Sequence, residues 1–349
     1  MKTSLLLLAA LLAALPAGAA EKAAPAPAPA KAAKKARAAQ PFVGHEVTYP
    51  CSYDKSEQKA LVYIAKANTR RPLVVVLHTW SCTYQTAKGY FPLAVKYDCH
   101  MIAPNFRGPN SAGNPLSMGS DAAVADIVSA VEWMKKQCAV DPERIYLTGG
   151  SGGGHMALLM AGRHPEIWAA VSAWCPISDL KAWCTFHNGK GYGAQIIRNL
   201  KGDPRTDAKA AGEAAKRSPL TWLPRAKELP LDIATGIHDG HKGSVPISEA
   251  LNAYNAVVPA PDRVPAETIA FMVKNEKAPE GTPAFADPSY GRRKIHYRKS
   301  SGNTRITIFE GGHNILSGTA FVWLMKQRKG RPAVWQTGAA SGKAEALTK

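Results

Sequence analysis

The segment Arg144-Ile-Tyr-Leu-Thr-Gly-Gly-Ser151-Gly-Gly-Gly-His-Met-Ala-Leu carries a short apolar run into a Gly-X-Ser-X-Gly turn and then straight into a helix-forming sequence. A serine on so sharp a strand-to-helix turn is forced into a strained backbone conformation that lifts its Oγ clear of the sheet edge. Glycines at Gly149, Gly150, Gly152 and Gly153 let strand and helix approach without clashing. The turn therefore fixes a local strand–turn–helix unit and a reaction class, acyl transfer to Ser151, before any substrate is considered.

The surrounding sequence supplies the matching scaffold. Leu73-Val-Val-Val-Leu77 is an apolar run of the kind that forms a central parallel strand buried on both faces, and Cys99-His-Met-Ile-Ala-Pro104 is the next. Gln58 to Ala65 suits a strand near one sheet edge, paired with Glu46 to Ser52. Between Ser120 and Gln137, Val124, Ile127, Val128, Val131 and Met134 recur at three- and four-residue spacing, predicting an amphipathic helix capped by Ser120. Trp168 to Trp174, Leu231 to Ile237 and Arg305 to Phe309 read as three further strands with helical stretches between them. This alternation predicts an α/β fold with a mostly parallel sheet wrapped by helices on both faces. Two polar insertions, Thr185 to Pro224 and Pro261 to Ser301, interrupt it near the active-site side.

A serine hydroxyl is a poor nucleophile near neutral pH, so Ser151 needs a histidine to take its proton and an acid to orient that histidine. Glu310-Gly-Gly-His313-Asn follows the last apolar strand, where a loop brings His313 back over the sheet edge as the base. Asp239, in Gly236-Ile-His-Asp239-Gly-His-Lys-Gly-Ser-Val-Pro246 after the preceding strand, is the expected acid. Asp179, after an earlier strand, is the alternative; Asp232 lies at the far end of its strand. The oxyanion needs two backbone N–H donors. One is Gly152, and the other is expected from His78-Thr79-Trp80 after the first central strand, at Trp80 or Thr79. The Trp80 indole would also offer a wall for a ring-shaped substrate. His238, Asp239 and His241 read as polar loop residues rather than metal ligands, and His155 as a packing residue. A serine mechanism needs no metal or cofactor, and none is expected.

Composition sets the context of this chemistry. Residues 1–19 read as a signal peptide, Met-Lys-Thr-Ser followed by a Leu/Ala run and a small-residue cleavage site, so a periplasmic or secreted protein is expected. No segment approaches the roughly twenty continuous apolar residues of a membrane span. Residues 20–40 are an Ala/Pro/Lys linker with almost nothing to bury, 41–336 one catalytic domain, and 337–349 a flexible tail. The formal net charge of +18 comes with no nucleic-acid-binding signature, so it implies a solvated basic surface, or an anionic partner such as an acidic polysaccharide. Six cysteines in an exported chain suggest disulfides, with Cys175 and Cys184 the first pair to expect.

These residues together resemble the α/β-hydrolase superfamily, and within it the prolyl-oligopeptidase-like catalytic domains and the feruloyl-esterase and polyhydroxyalkanoate-depolymerase group, from about Leu61 to Met325. Asn105-Phe-Arg-Gly108, Arg217-Ser-Pro219 and Ile237 to Pro246 are similar to prolyl-oligopeptidase signposts, while Asp-Pro-Glu-Arg-Ile-Tyr-Leu-Thr-Gly is similar to secreted esterases. Two departures stand out. The usual His-Gly oxyanion motif is His78-Thr79 here, and the usual position of the acid, three residues before Val245, holds Lys242, with Asp239 standing earlier in the same loop. The resemblance implies a secreted serine esterase acting on acetyl or feruloyl groups of polysaccharides. A prolyl-oligopeptidase-like peptidase and a polyester depolymerase are the alternatives, and an inactive hydrolase-fold binding module is the non-enzymatic one.

Overall fold

The computed structural model describes residues 44–66 and 69–336. The expected signal peptide, linker and tail lie outside the described residues. Among the described residues nine strands form one sheet: β1 (His45–Pro50), β2 (Glu57–Tyr63), β3 (Arg71–Leu77), β4 (His100–Pro104), β5 (Val140–Gly150), β6 (Ala170–Trp174), β7 (Leu231–Gly236), β8 (Ile295–Ser301) and β9 (Thr304–Phe309). Their order is β1-β2-β4-β3-β5-β6-β7-β9-β8. The block from β4 through β9 is parallel, and antiparallel pairing lies at its flanks, where β1 joins β2, β2 joins β4 and β8 joins β9.

The apolar runs of the central strands explain this topology. Leu73, Val75 and Leu77 of β3 belong to one core cluster with Ile102, Leu147 and, farther along the sheet, Ile306. Val74 and Val76, pointing the other way, pack with Met101, Tyr146, Phe321 and Trp323. Both faces of one strand are thus buried, which demands helices above and below. They are α1 (Phe91–Lys96), α2 (Asp121–Gln137), α3 (Gly152–Arg163), α4 (Leu180–Phe186), α5 (Tyr192–Leu200), α6 (Ala208–Arg217), α7 (Ile247–Val257), α8 (Ala266–Asn275) and α9 (Ser317–Leu324). Ser120 caps α2 by accepting from the Ala123 amide at 3.2 Å, with Asp121 in the first turn and Lys135 and Lys136 in the last, each sign matched to the helix dipole. Among the described residues no helix is long and apolar enough to cross a membrane.

Two expectations are corrected. The segment Pro261 to Ser301 is no mere polar insertion, because it contains α8 and the edge strand β8. Ile-His-Tyr-Arg-Lys-Ser-Ser lacks the apolar run of a buried strand, since only one side of an edge strand meets the core and cations along it discourage pairing with another chain. All six cysteines are free thiols. Cys175 Sγ donates to the Asn314 carbonyl at 3.3 Å, whereas Cys184 Sγ points to the Gly193 carbonyl at 3.7 Å, inside a separate aromatic cluster. The expected Cys175–Cys184 pair is therefore divided between two packing layers.

Candidate active site

At the carboxyl ends of β5, β7 and β9 the chain makes three tight loops, and each delivers one polar side chain. Ser151 sits between β5 and α3 with φ 57° and ψ −122°, a conformation an L-residue adopts only when its surroundings impose it. The imposition is visible: its amide donates to the Trp174 carbonyl at 2.9 Å, and a Cβ on Gly149 would come within 2.5 Å of the Gly153 carbonyl oxygen. Strand and helix are too close there for any side chain.

His313 lies on the loop after β9. Its Nδ1 donates to Asp239 Oδ2 at 2.7 Å, and Asp239 is fully buried while His313 keeps about a quarter of its side chain exposed. The second carboxylate oxygen accepts from the Gly240 and Val245 amides at 3.0 and 3.2 Å, and Thr235 Oγ1 approaches Oδ2 at 3.4 Å. These bonds fix the carboxylate, the carboxylate fixes the imidazole, and with Nδ1 committed as donor Nε2 remains an acceptor. Gly243 closes the arrangement, because any Cβ there would collide with Asp239 and stand 2.9 Å from the Cβ of His313.

Two backbone amides converge beside Ser151. A Cβ on Gly152 would lie 2.5 Å from the Trp80 nitrogen, so the backbone after β3 and the start of α3 are in contact. Among the described residues neither amide donates to a protein acceptor. Thr79 holds the turn through its carbonyl, which accepts from Cys82 N at 3.2 Å and His78 Nδ1 at 2.8 Å. Trp80 is the residue whose nitrogen abuts Gly152.

Other expected residues fall elsewhere. Asp179 caps α4, accepting from the Lys181 and Ala182 amides at 2.8 and 3.1 Å, so its carboxylate is engaged away from His313. Asp232 pairs with Arg305 at the opposite end of β7. The Trp80 indole is no substrate wall. It is 1% exposed, meets Trp183 edge-on at 4.8 Å and donates to Gln195 Oε1 at 2.8 Å. The insertion carrying α4 to α6 thereby braces the site: Trp183 Nε1 and His187 Nε2 both donate to the Ser244 carbonyl, at 2.8 and 2.9 Å. His155 is buried against Trp80, and desolvation brings its pKa down to about 4, so it is a neutral packing residue.

Two features escaped the sequence reading. His238 spans two carboxylates, with Nδ1 at 2.6 Å from Glu276 Oε2 and Nε2 at 3.0 Å from Glu310 Oε1, while His296 Nε2 takes the other Glu310 oxygen at 2.8 Å. This cluster ties the loop of Asp239 to the loop of His313; no sequence motif announces it, since its members come from four separated segments. Cys175 also lies beside the Asp239–His313 pair, the three ligand atoms being within 4.8 Å of one another. Burial and the Asp239 charge push the Cys175 thiol well above its ordinary pKa, and Asp239 and His313 are spent on each other, so the trio is ill suited to hold a metal ion.

A strained serine at an elbow, a carboxylate-oriented histidine and two neighbouring amides without a protein acceptor at the carboxyl edge of a parallel sheet define a serine hydrolase with the α/β-hydrolase fold. The chain belongs to the prolyl oligopeptidase family, whose profile matches residues 93–272 and includes Ser151, Gly152 and Asp239. It is 26% identical over 205 residues to the acylamino-acid-releasing enzyme of Rattus norvegicus, a match covering 54% of this chain and 26% of that protein. To acetylxylan esterase A of Talaromyces purpureogenus it is 26% identical over 197 residues, covering 53% of this chain and 45% of the relative. The chain thus spans about a quarter to a half of the length of these relatives. Among solved structures, a Mycobacterium tuberculosis puromycin-hydrolyzing peptidase superposes with a TM-score of 0.52 at 17% identity, covering 81% of this chain and 39% of that one. An acetyl xylan esterase from Paenibacillus sp. R4 does so at 0.50 and 18%, covering 61% and 73%. At these identities the structural likeness speaks for the fold.

Proposed function

We propose that this protein is an exported carboxylic-ester hydrolase removing acyl groups, acetyl or feruloyl, from polysaccharides. The observation that carries the mechanism is the 2.7 Å bond between His313 Nδ1 and Asp239 beside a serine held at φ 57°. His313 Nε2 takes the proton of Ser151 as Oγ attacks the ester carbonyl, and the amides of Gly152 and Trp80 receive the charge that develops on the carbonyl oxygen. His313 then returns the proton to the departing alcohol, leaving an acyl-serine. Water, deprotonated by the same Nε2, hydrolyses that intermediate. Asp239 holds the imidazole in the tautomer this cycle needs.

The ester reading is supported by the likeness of the chain to a fungal acetylxylan esterase, at 26% identity over 197 residues. The signal-like first nineteen residues support export. The relatives that release acylamino acids keep a peptidase reading as the second one.

Purified protein is assayed on 4-nitrophenyl acetate, methyl ferulate and a proline-containing chromogenic peptide, beside Ser151→Ala. Turnover of an ester that exceeds that of the peptide and drops by at least about 10⁴-fold in the variant is expected. Faster peptide cleavage reverses the order of the two readings. Failure of a fluorophosphonate to label Ser151 would mean a hydrolase fold without an active site.

A further inference from the structure

The loop that delivers His313 is flanked by cations drawn from two different parts of the chain. On one side stands Lys242, at the position where the resembled pattern keeps its acid; a Cβ on Gly312 would touch the Lys242 carbonyl oxygen and Cβ at 3.8 and 4.0 Å. On the other side is the entry to β8, Arg292-Arg293-Lys294, whose three residues are all exposed. The Lys294 carbonyl accepts from the Glu310 amide at 2.7 Å, Arg293 Nη1 donates to the Glu310 carbonyl at 2.9 Å, and a Cβ on Gly311 would lie 3.1 Å from that same nitrogen. The Gly311–Gly312 pair leading to His313 therefore runs between Lys242 and Arg293.

Two nearby carboxylates, Glu310 and Glu276, offset only part of the rim's charge. Glu310 has both oxygens on His238 and His296, and Glu276 has one on His238 with the other 3.6 Å from His241. Lys242 lowers the Glu276 pKa by its charge alone, as one of several contributors after the His238 bond. Among the described residues, Lys242, Arg292 and Lys294 form no side-chain ion pair, and the four exposed cations Lys242, Arg292, Arg293 and Lys294 outnumber Glu276 and Glu310 around the histidine loop.

We propose that this rim selects substrates carrying a carboxylate on the alcohol side of the ester, the chemistry of a uronate residue in an acidic polysaccharide. The assignment rests on the ester-hydrolase reading above. Displacement of the acid function to Asp239 is what makes it workable: a carboxylate at 242 would repel an anionic substrate from the lip of the histidine loop, whereas a lysine there attracts it. Because the cations are exposed, their effect is a Coulombic bias on encounter and binding that salt screens, as ions do over a Debye length of roughly 10 Å.

The test compares 4-acetoxybenzoate with its neutral methyl ester, following the ratio of their kcat/KM values. In wild-type protein the ratio is expected to favour the anion and to fall about three- to tenfold as salt rises from about 20 mM to about 300 mM. Lys242→Glu and the double variant Arg292→Glu, Lys294→Glu are each expected to erase that preference. Lys136→Glu makes the same charge change at the end of α2, on the far edge of the sheet, and leaves the ratio where it was. A ratio indifferent to both salt and the rim variants overturns the proposal.

Turnover of the neutral ester reports separately on the ester-hydrolase reading. If neither ester is turned over, titration of Ser151→Ala protein with a galacturonate trimer and a galactose trimer still decides. Salt-sensitive binding of the charged trimer alone, lost in Lys242→Glu, supports the rim; equal binding of the two, or none of either, ends it. Competition by an Asp-rich peptide without any binding of the uronate would move the anion to a different class of partner and defeat the proposal as stated.

Discussion

Strands β7 and β9 place a buried aspartate with a side-chain donor at each end. At the amino end of β7, Asp232 Oδ1 accepts from Arg305 Nε at 2.8 Å, with both side chains about 1–2% exposed. Just past the carboxyl end, Asp239 Oδ2 accepts from His313 Nδ1 at 2.7 Å. Both carboxylates are buried and both partners come from β9 or the loop that follows it, so the two pairs differ chiefly in the donor. Arginine has five donors, no acceptor and a charge it never surrenders. It can only anchor, and here it also donates to the Trp335 carbonyl at 3.3 Å and stacks over that ring. Histidine bound through Nδ1 keeps a second nitrogen that can take a proton and give it back. One strand pair thus supplies a fixed ion pair where the sheet is closed and a proton-passing imidazole where it is open.

The comparison breaks first at Asp239. Asp239→Asn preserves size but offers His313 an amide that can present either its oxygen or its NH₂, so the imidazole loses its enforced tautomer. A fall in kcat of about 10⁴-fold is expected, with the unfolding midpoint changed little. Kinetics and denaturant titration on the same preparation check it. A modest loss would mean that another acid orients His313.

The reciprocal substitution, Asp232→Asn, leaves Arg305 as an uncompensated charge in a dry environment. A destabilisation of about 3–5 kcal/mol is expected, while kcat per folded molecule stays near wild type. Asp232 Oδ2 already lies buried without a hydrogen-bond partner, so the pair is imperfectly satisfied and the loss should fall toward the lower part of that range. If Asp232→Asn instead reduced activity without loss of stability, the division between an anchoring end and a working end would be wrong.

How much of this was legible beforehand follows the same division. The elbow, the central strands and the loops of Asp239 and His313 could be read because each imposes a local pattern: a run of apolar residues, a glycine bracket, a polar residue directly after a strand. The bond of Asp239 to His313 was an inference from strand order, which here coincides with proximity. What stayed hidden depends on long-range packing. The Trp80 indole faces inward only because α4 and α5 lay Trp183 and Gln195 over it, and a tryptophan in a loop carries no mark of which way it points. Cys175 and Cys184 are nine residues apart in sequence, yet Cys175 Sγ turns to the Asn314 carbonyl and Cys184 Sγ to the Gly193 carbonyl within the Trp80–Trp183 cluster. Strand β8 reads as insertion because an edge strand of mostly half-exposed polar residues does not show the continuous apolar signal of its neighbours.

A third buried carboxylate carries the contrast to its limit, since it has no cation. Glu249 of α7 accepts from the Ser178 and Asp179 amides at 2.7 and 2.9 Å and from the Ser178 hydroxyl at 2.8 Å, yet burial still pushes its pKa up to about 7. Three neutral donors do not replace a counter-charge. The consequence for stability has a definite sign. In the unfolded chain the group titrates near the ordinary glutamate value of 4.5 and in the folded protein near 7, so between those values the folded state binds more protons. Its contribution to stability is present at the acid side of the window and declines as pH rises through it. The opposite slope would apply to a carboxylate paired with a cation. Glu249→Gln keeps the shape and removes the titration, and the slope of unfolding free energy between about pH 5 and pH 7 should become less negative in the variant than in wild type. Denaturant midpoints measured at intervals across that window decide the matter. Identical slopes in the two proteins would show that Glu249 is ionised throughout, and that the amides of Ser178 and Asp179 serve it as well as a guanidinium serves Asp232.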